Sequence, residues 1–202
     1  MLQFNTYYHI YNHANGDDTL FREKRNYGYF LKKYYQHIDP IAECVAWCLM
    51  SNHFHLVIKI KSEEEIASTL EKFKGLEKLE FKAKSAFLSK QLANFFSCYT
   101  QSFNKVYKRR GSLFIKNFKR KEVITTEYLT KLIVYIHLNP VKHGFCSHFE
   151  DWKWTSYHSF WCCTPSLALI LFVSKKQYKN MHLEKQLHFL EYSQIENEIL
   201  NC

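Results

Sequence analysis

Hydrophobic residues occupy every second position after Ser51-Asn52, which is the spacing of a β-strand. Successive side chains of a strand point to opposite faces, so this predicted strand has one apolar face, formed by Phe54, Leu56, Ile58 and Ile60. The other face carries His53 and His55 side by side, and two imidazoles at that spacing can share a metal ion. On the pair alone, a half-buried edge strand that happens to carry two histidines is an equally good interpretation.

The residues before this strand predict a strand, a helix and a second strand. Residues 4–13 have the strand pattern, and residues 22–37 place apolar and aromatic side chains at helical spacing among basic ones. After Asp39-Pro40, residues 41–50 are apolar on both faces, as expected of a central strand. Ser51-Asn52 is short enough for a hairpin turn. The order strand, helix, strand, strand is the opening of a split β-α-β, ferredoxin-like fold.

The second half of the chain predicts two further helices around a fourth strand. Residues 61–84 are rich in Glu and Lys and predict a solvated helix or connector, whereas residues 85–108 have a strong helical pattern. Residues 114–124 predict the fourth strand, and Thr125 or Thr126 is a suitable N-cap for the next helix. We therefore expect an α+β protein with a ferredoxin-like antiparallel sheet, helices on one face, and a C-terminal helical extension.

The helix that follows Thr126 has a polar stripe beside an apolar one. At about 100° per residue, four polar side chains share one side: Tyr128, Lys131, Tyr135 and Asn139. Because Pro140 disfavours helical geometry at the residue before it, the helix is expected to end near Asn139. A tyrosine in such a helix is more often an ordinary residue at the edge of a core, so the stripe alone does not establish a site.

Two motifs give the chain a resemblance to a known family. They are His53-Phe54-His55, preceded by Cys-Leu-Met-Ser-Asn, and the run from Tyr135 to Gly144, Tyr-Ile-His-Leu-Asn-Pro-Val-Lys-His-Gly. In these motifs the chain resembles the HUH single-tyrosine transposases, and more closely their REP-associated branch. The resemblance covers most of residues 5–160 and implies a transposase domain over residues 1–160, with residues 161–202 as an extension.

The resemblance implies a metal-assisted reaction on single-stranded DNA. Tyr135 would be the nucleophile and form a 5′-phosphotyrosine linkage, and Mg²⁺ or Mn²⁺ would be held by His53 and His55. Asn139, one turn from Tyr135, is the expected third ligand, although other branches of the family often have a glutamine or a carboxylate there. The residues by themselves do not select the metal, since imidazoles also suit zinc and oxygen ligands favour Mg²⁺ or Mn²⁺.

The charge of the chain points to a polyanionic partner. A formal charge of +9 and an aromatic content of 17% suit a nucleic acid, which is held by cations and by bases that stack on aromatic rings. By the resemblance this partner is single-stranded hairpin DNA. The expected DNA contacts are the basic residues on either side of Gly111: Lys105, Lys108, Arg109, Arg110, Lys116, Lys119, Arg120 and Lys121.

Cysteine usage and hydropathy predict a cytoplasmic protein. The seven cysteines have no zinc-ribbon spacing and are expected to be reduced thiols. We expect no membrane span, because the longest apolar run, residues 167–173, is too short to cross a bilayer. The first residues lack the pattern of a secretion signal.

Three other functions fit the same sequence. A replication-initiator or relaxase-like nicking protein shares the paired histidines and the tyrosine, but is usually longer. A domesticated regulator that binds hairpin DNA or RNA without cleaving it would keep the scaffold, and a zinc-binding module would need only the histidines. His9 is a further candidate for the site, whereas His137 is expected to be structural. The oligomeric state, monomer or homodimer, is left open.

Overall fold

The computed structural model describes residues 1–69 and 79–187 of the chain. Its strands are β1 (Tyr7–His13), β2 (Ala42–Met50), β3 (His53–Ile60) and β4 (Lys119–Val123). Its helices are α1 (Lys24–His37), α2 (Glu63–Thr69), α3 (Phe81–Val106), α4 (Thr126–Lys142), α5 (Tyr157–Cys163), α6 (Pro165–Phe172) and α7 (Lys175–Leu187), with a short 3₁₀ turn at Phe149–Asp151. The connector prediction for residues 70–78 and the helical pattern after residue 187 lie outside the described residues.

The four strands form one antiparallel sheet in the order β2-β3-β1-β4. This is the ferredoxin-like order, in which β3 joins β2 through a hairpin and lies between β2 and β1. Met50 pairs with His53, so the predicted turn at Ser51-Asn52 is present. The predicted α+β fold with a ferredoxin-like sheet and a C-terminal helical part is confirmed. The interpretation of the histidine strand as an edge strand is wrong, since β3 has a neighbour on both sides.

Helices cover both faces of the sheet, whereas the sequence predicts helices on one face. One hydrophobic core packs α1 and α3 against the face that carries Ile10, Phe54 and Leu56. A second core packs α4 to α7 against the face that carries Tyr11 and Val57. The difference arises because β1 to β3 are buried on both faces, and two apolar faces each require a covering layer.

Helix α4 continues past the predicted end at Asn139, through Pro140 to Lys142. The proline has no amide hydrogen, so the carbonyl of residue 136 loses one helical hydrogen bond. The helix ends instead at Lys142, and Gly144, two residues on, has a φ of 71°, the left-handed conformation that follows a C-cap. The amides of Gly144 and Phe145 donate to the carbonyls of Val141 (3.0 Å) and Pro140 (2.8 Å), which is the Schellman pattern.

The start of α4 agrees with the sequence. Thr125 is the N-cap, and its hydroxyl accepts a hydrogen bond from the amide of Tyr128 at 3.1 Å. Glu127 lies in the first turn, where a carboxylate stabilises the positive end of the helix dipole. These two residues fix where the helix begins and therefore which of its side chains face the sheet.

The C-terminal helices pack on the same side of the sheet as α4. The predicted division after residue 160 remains a prediction, and α5 runs across that position. The six cysteines of the described ranges are all free thiols. No helix within residues 1–69 and 79–187 has the length and apolar character needed to cross a membrane.

Candidate active site

Strand β3 presents its two histidines to helix α4. Phe54, Leu56 and Ile58 lie in the core under α1 and α3, so His53 and His55 face the opposite layer, as their spacing predicts. Both histidines are buried, with 3% and 4% of their surface exposed. Burial lowers the pKa of His53 to about 3 and lowers the pKa of His55 as well. At neutral pH both imidazoles are therefore uncharged, which is the form that binds a metal ion.

Each of these imidazoles is oriented through its Nδ1 atom. Nδ1 of His53 lies 2.7 Å from Oδ1 of Asn52, and because an amide oxygen only accepts, Nδ1 carries the proton. Nδ1 of His55 lies 2.9 Å from Nε2 of His9, which comes from the neighbouring strand β1. In both rings Nε2 remains as the nitrogen that can bind a metal, and outer partners of this kind are typical of metal-binding histidines.

Helix α4 brings Tyr135 and Asn139 to the same place. The ring of Tyr135 meets that of His55 edge to face, with centroids 5.7 Å apart. The amide nitrogen of Asn139 donates to the carbonyl of Tyr135 at 3.2 Å, and Asn139 also approaches His53 closely enough to oppose part of the fall in its pKa. In the described part of the chain, Oδ1 of Asn139 is buried and makes no hydrogen bond of normal geometry. A buried acceptor without a partner is costly, so this oxygen is suited to a ligand.

Two more histidines lie beside His53. His13, its cross-strand partner on β1, stacks on it with ring centroids 4.6 Å apart, and His143 at the end of α4 meets it at 4.9 Å. Lys142 places its ammonium 5.8 Å from the centroid of the Tyr135 ring. Within residues 1–69 and 79–187, no three His, Cys, Asp or Glu side chains are placed to share one metal ion. A metal ion bound here by three side chains would therefore need a donor of another kind, such as the amide oxygen of Asn139.

The sequence predicts His53, His55, Tyr135 and Asn139 as site residues, and the structure brings them together. His9 is a minor candidate from the sequence, and His13, His143 and Lys142 have no predicted role. The strand pattern of residues 4–13 already puts His9 and His13 on one face. Only the register of β1 against β3 shows that this face is the one with the paired histidines.

The predicted DNA-contacting cations lie in different surroundings. Most are exposed, in the last turn of α3, in the segment after it or on β4: Lys105, Lys108, Arg110, Lys116, Lys119 and Arg120. Lys116 and Arg120 line a groove of about 990 Å³ between α3 and this segment. Lys121 lies over the ring of Tyr128, 5.3 Å from its centroid. Arg109 is ion-paired with Asp18 and donates to Asn104 at 2.7 Å, so it stabilises the end of α3 and is less available to DNA than predicted.

The fold and these residues define a member of the IS200-like transposases. The family model of that name matches residues 2–107, about half of the chain, and the chain belongs to this family. The matched residues contain His53 and His55 but end before α4, so Tyr135 and Asn139 lie outside them.

Two individual proteins are similar to this chain. A protein of Haemophilus influenzae described as a REP-associated tyrosine transposase is 24% identical over 118 residues, which are 57% of this chain and 59% of the relative. The chain thus matches less than two thirds of that relative. A solved structure of a REP-associated tyrosine transposase bound to a REP hairpin covers 78% of this chain and 79% of its own, with a TM-score of 0.50 and 17% identity. At that identity the likeness extends to the fold alone.

Proposed function

We propose that this protein cleaves and rejoins single-stranded DNA at hairpins, with Tyr135 as the nucleophile and Mg²⁺ or Mn²⁺ at His53, His55 and Asn139. The observation that carries the proposal is the meeting of α4 with β3. There a tyrosine, two neutral imidazoles with Nε2 available, and the amide oxygen of Asn139, which makes no hydrogen bond of normal geometry among the described residues, share one buried cluster. Membership of a transposase family and the fold shared with a hairpin-bound relative support it.

The residues at this site fit a divalent metal ion. Nε2 of His53, Nε2 of His55 and Oδ1 of Asn139 would hold it and leave positions for a phosphate oxygen and water. When bound, such an ion neutralises charge on the scissile phosphate and makes its phosphorus more electrophilic. Asn52 and His9 would keep the two imidazoles in the tautomer and orientation that binding requires.

Tyr135 would carry the covalent step. A phenol has a pKa of about 10, so only about a thousandth is ionised at neutral pH, and the site must stabilise the phenolate. The ammonium of Lys142, close to the ring, supplies a positive charge for this purpose. The oxygen of Tyr135 would bond to the phosphorus as the bond to the 3′-oxygen breaks, giving a 5′-phosphotyrosine and a free 3′-hydroxyl. Attack by another 3′-hydroxyl reverses the step and rejoins the strands.

Strand β4 would guide the DNA into the site. Its side chains alternate, so Lys119 and Lys121 lie on the same face as buried Val123, towards α4, while Arg120 faces the groove beside α3. Because β4 is the edge strand next to β1, these cations border the histidine cluster. A single strand that passes over this edge would meet phosphate-binding cations before it reached Tyr135.

The double variant Lys119→Ala/Lys121→Ala is expected to weaken binding of a hairpin with a single-stranded extension. Loss of two phosphate contacts should reduce the magnitude of the negative slope of log affinity against log salt by about 1.4 to 1.8. Binding titrations at several salt concentrations measure this slope. The matched control is Lys24→Ala/Lys32→Ala, which removes two exposed lysines of α1, on the other side of the sheet. Equal slopes for the two variants would refute a guiding role for β4.

His9→Ala is expected to reduce affinity for Mn²⁺ by about 10- to 100-fold, because Nδ1 of His55 loses its partner. His9→Gln, which can place an amide oxygen near the lost Nε2, should recover part of this affinity. Calorimetric titration with Mn²⁺ measures the effect without requiring DNA. The account of His9 fails if His9→Ala binds Mn²⁺ as tightly as the wild type does.

A protein that binds hairpins without cleaving them is the second candidate. The observation in its favour is that Tyr135 is itself buried, with 3% of its surface exposed, so the nucleophile is covered in this conformation. The two functions separate in one experiment with labelled hairpin DNA and Mn²⁺. A transposase forms a protein-DNA adduct that survives denaturation, and a binding protein retains the hairpin without forming one.

A further inference from the structure

A chain of buried polar groups connects α4 to the C-terminal helix α7. It involves His137 of α4, Ser156 just before α5, and Tyr178 and His182 of α7, each at most 4% exposed. His137 lies between Ser156 and His182. Its Nε2 is 2.8 Å from the hydroxyl of Ser156, and its Nδ1 is 3.1 Å from Nε2 of His182. Polar groups this deeply buried need satisfied hydrogen bonds, so their arrangement is restricted.

The fixed donors and acceptors at the two ends of this buried network set the direction of its hydrogen bonds. Nδ1 of His182 lies 2.7 Å from the carbonyl of Tyr178, so it must carry the proton and leave Nε2 as an acceptor. Nδ1 of His137 therefore carries a proton, and two acceptors lie 3.1 Å from it: Nε2 of His182 and the hydroxyl of Tyr178, which itself donates to the carbonyl of Tyr157. Nε2 of His137 accepts from the hydroxyl of Ser156. Ser156 in turn accepts from the amide of Trp47 on β2 at 2.8 Å. Both histidines are thus neutral and protonated at Nδ1, and the chain extends from the sheet to α7.

His137 is well placed to fix the rotation of α4 about its axis. It lies two residues after Tyr135 and two before Asn139, and a step of two residues turns the helix by about 200°. His137 therefore points away from the side that carries Tyr135 and Asn139. A rotation that displaced these two residues from His55 and His53 would have to break the buried bonds of His137.

We propose that His137 is a positioning residue, and that α7 acts through it to hold Tyr135 and Asn139 against β3. The consequence for catalysis rests on the function proposed above. Helix α7 lies beyond the residues that the family model matches. Through this network it has a role in the reaction without contact with the substrate. Displacements of about 1 Å at a reacting group can cost about 100-fold in rate, so a loosened helix should have a large effect.

The test compares His182→Leu with His182→Gln in the full chain. Leucine removes the His182 acceptor and leaves the hydroxyl of Tyr178, 3.1 Å away, to accept from Nδ1 of His137, whereas glutamine can place an amide oxygen where Nε2 of His182 was. Single-turnover cleavage of hairpin DNA should fall by about 10- to 100-fold in His182→Leu and recover substantially in His182→Gln. Hairpin affinity should stay unchanged in both. Leu171→Ala, a buried change in the same C-terminal layer, controls for a general loss of stability and should cleave at the wild-type rate once its folded fraction is taken into account.

Each outcome decides the proposal. If His182→Leu and Leu171→Ala lose cleavage in equal proportion to their loss of thermal stability, α7 only stabilises the fold and the proposal is overturned. If the wild type forms no adduct, the proposed function fails instead, and NMR contacts between the rings of Tyr135 and His55 then test the positioning. Their loss in His182→Leu but not in Leu171→Ala would support the proposal, and their persistence in both would overturn it.

Discussion

Tyr135→Phe is expected to abolish cleavage of single-stranded hairpin DNA, with a rate at least about 1,000-fold below that of the wild type. The substitution removes one oxygen atom, the one that would bond to phosphorus. The phenylalanine ring keeps the edge-to-face contact with His55 and the position below Lys142, so the fold of the site should persist. Hairpin affinity should therefore remain at the wild-type value while the denaturation-resistant adduct disappears.

The control for this variant is Tyr35→Phe. Tyr35 belongs to α1 and is 63% exposed, so it is freely accessible to a reactive phosphate but lies on the other side of the sheet. Cleavage by this variant should equal that of the wild type. If Tyr135→Phe cleaves at the wild-type rate, another group attacks the phosphate.

His55→Ala is expected to lower metal-dependent cleavage by about 100-fold or more and to abolish the response to added Mn²⁺. The variant loses the central imidazole of the cluster, which contacts both His9 and Tyr135. Removal of divalent metal from the wild type with a chelator should have the same effect and should be reversed by Mg²⁺ or Mn²⁺. Rates measured across a metal titration, for the wild type and the variant, check both expectations.

The matched control for His55→Ala is His158→Ala, an exposed histidine of α5 whose Nε2 lies 2.8 Å from the carbonyl of Glu150. This variant should retain the full metal response. The metal assignment is contradicted if chelated wild-type protein cleaves at its normal rate, or if His55→Ala keeps the metal response of the wild type.

Local periodicity was sufficient to find the paired histidines and the tyrosine helix. The alternation after Asn52 fixes the face of His53 and His55, because side-chain direction in a strand depends only on parity. The four-residue spacing of Tyr135 and Asn139 places them on one side of a helix, and the structure keeps them there because α4 continues through Pro140. The helix end was wrong because the steric preference of a residue before proline was outweighed by the cap at Gly144.

Contacts between distant segments could not be predicted in this way. His13 faces His53 only because β1 pairs with β3 in one particular register, and Arg109 pairs with Asp18 across 91 positions of sequence. The prediction of helices on one face of the sheet was also wrong. An apolar run predicts a strand that is buried on both faces, but it does not identify the helices that cover each face. The buried hydrogen-bond network that links Ser156, His137 and His182 has no local sequence pattern. Its members come together only when the helices pack against one another.

The most direct test of the account is to identify the residue that becomes linked to DNA. Protein incubated with Mn²⁺ and an end-labelled hairpin would be denatured, digested with trypsin and nuclease, and analysed by mass spectrometry. The account predicts a nucleotide attached through its 5′-phosphate to Tyr135, with a free 3′-hydroxyl on the released strand. A modification on another tyrosine, or hairpin binding at full affinity with no modified peptide, would contradict it.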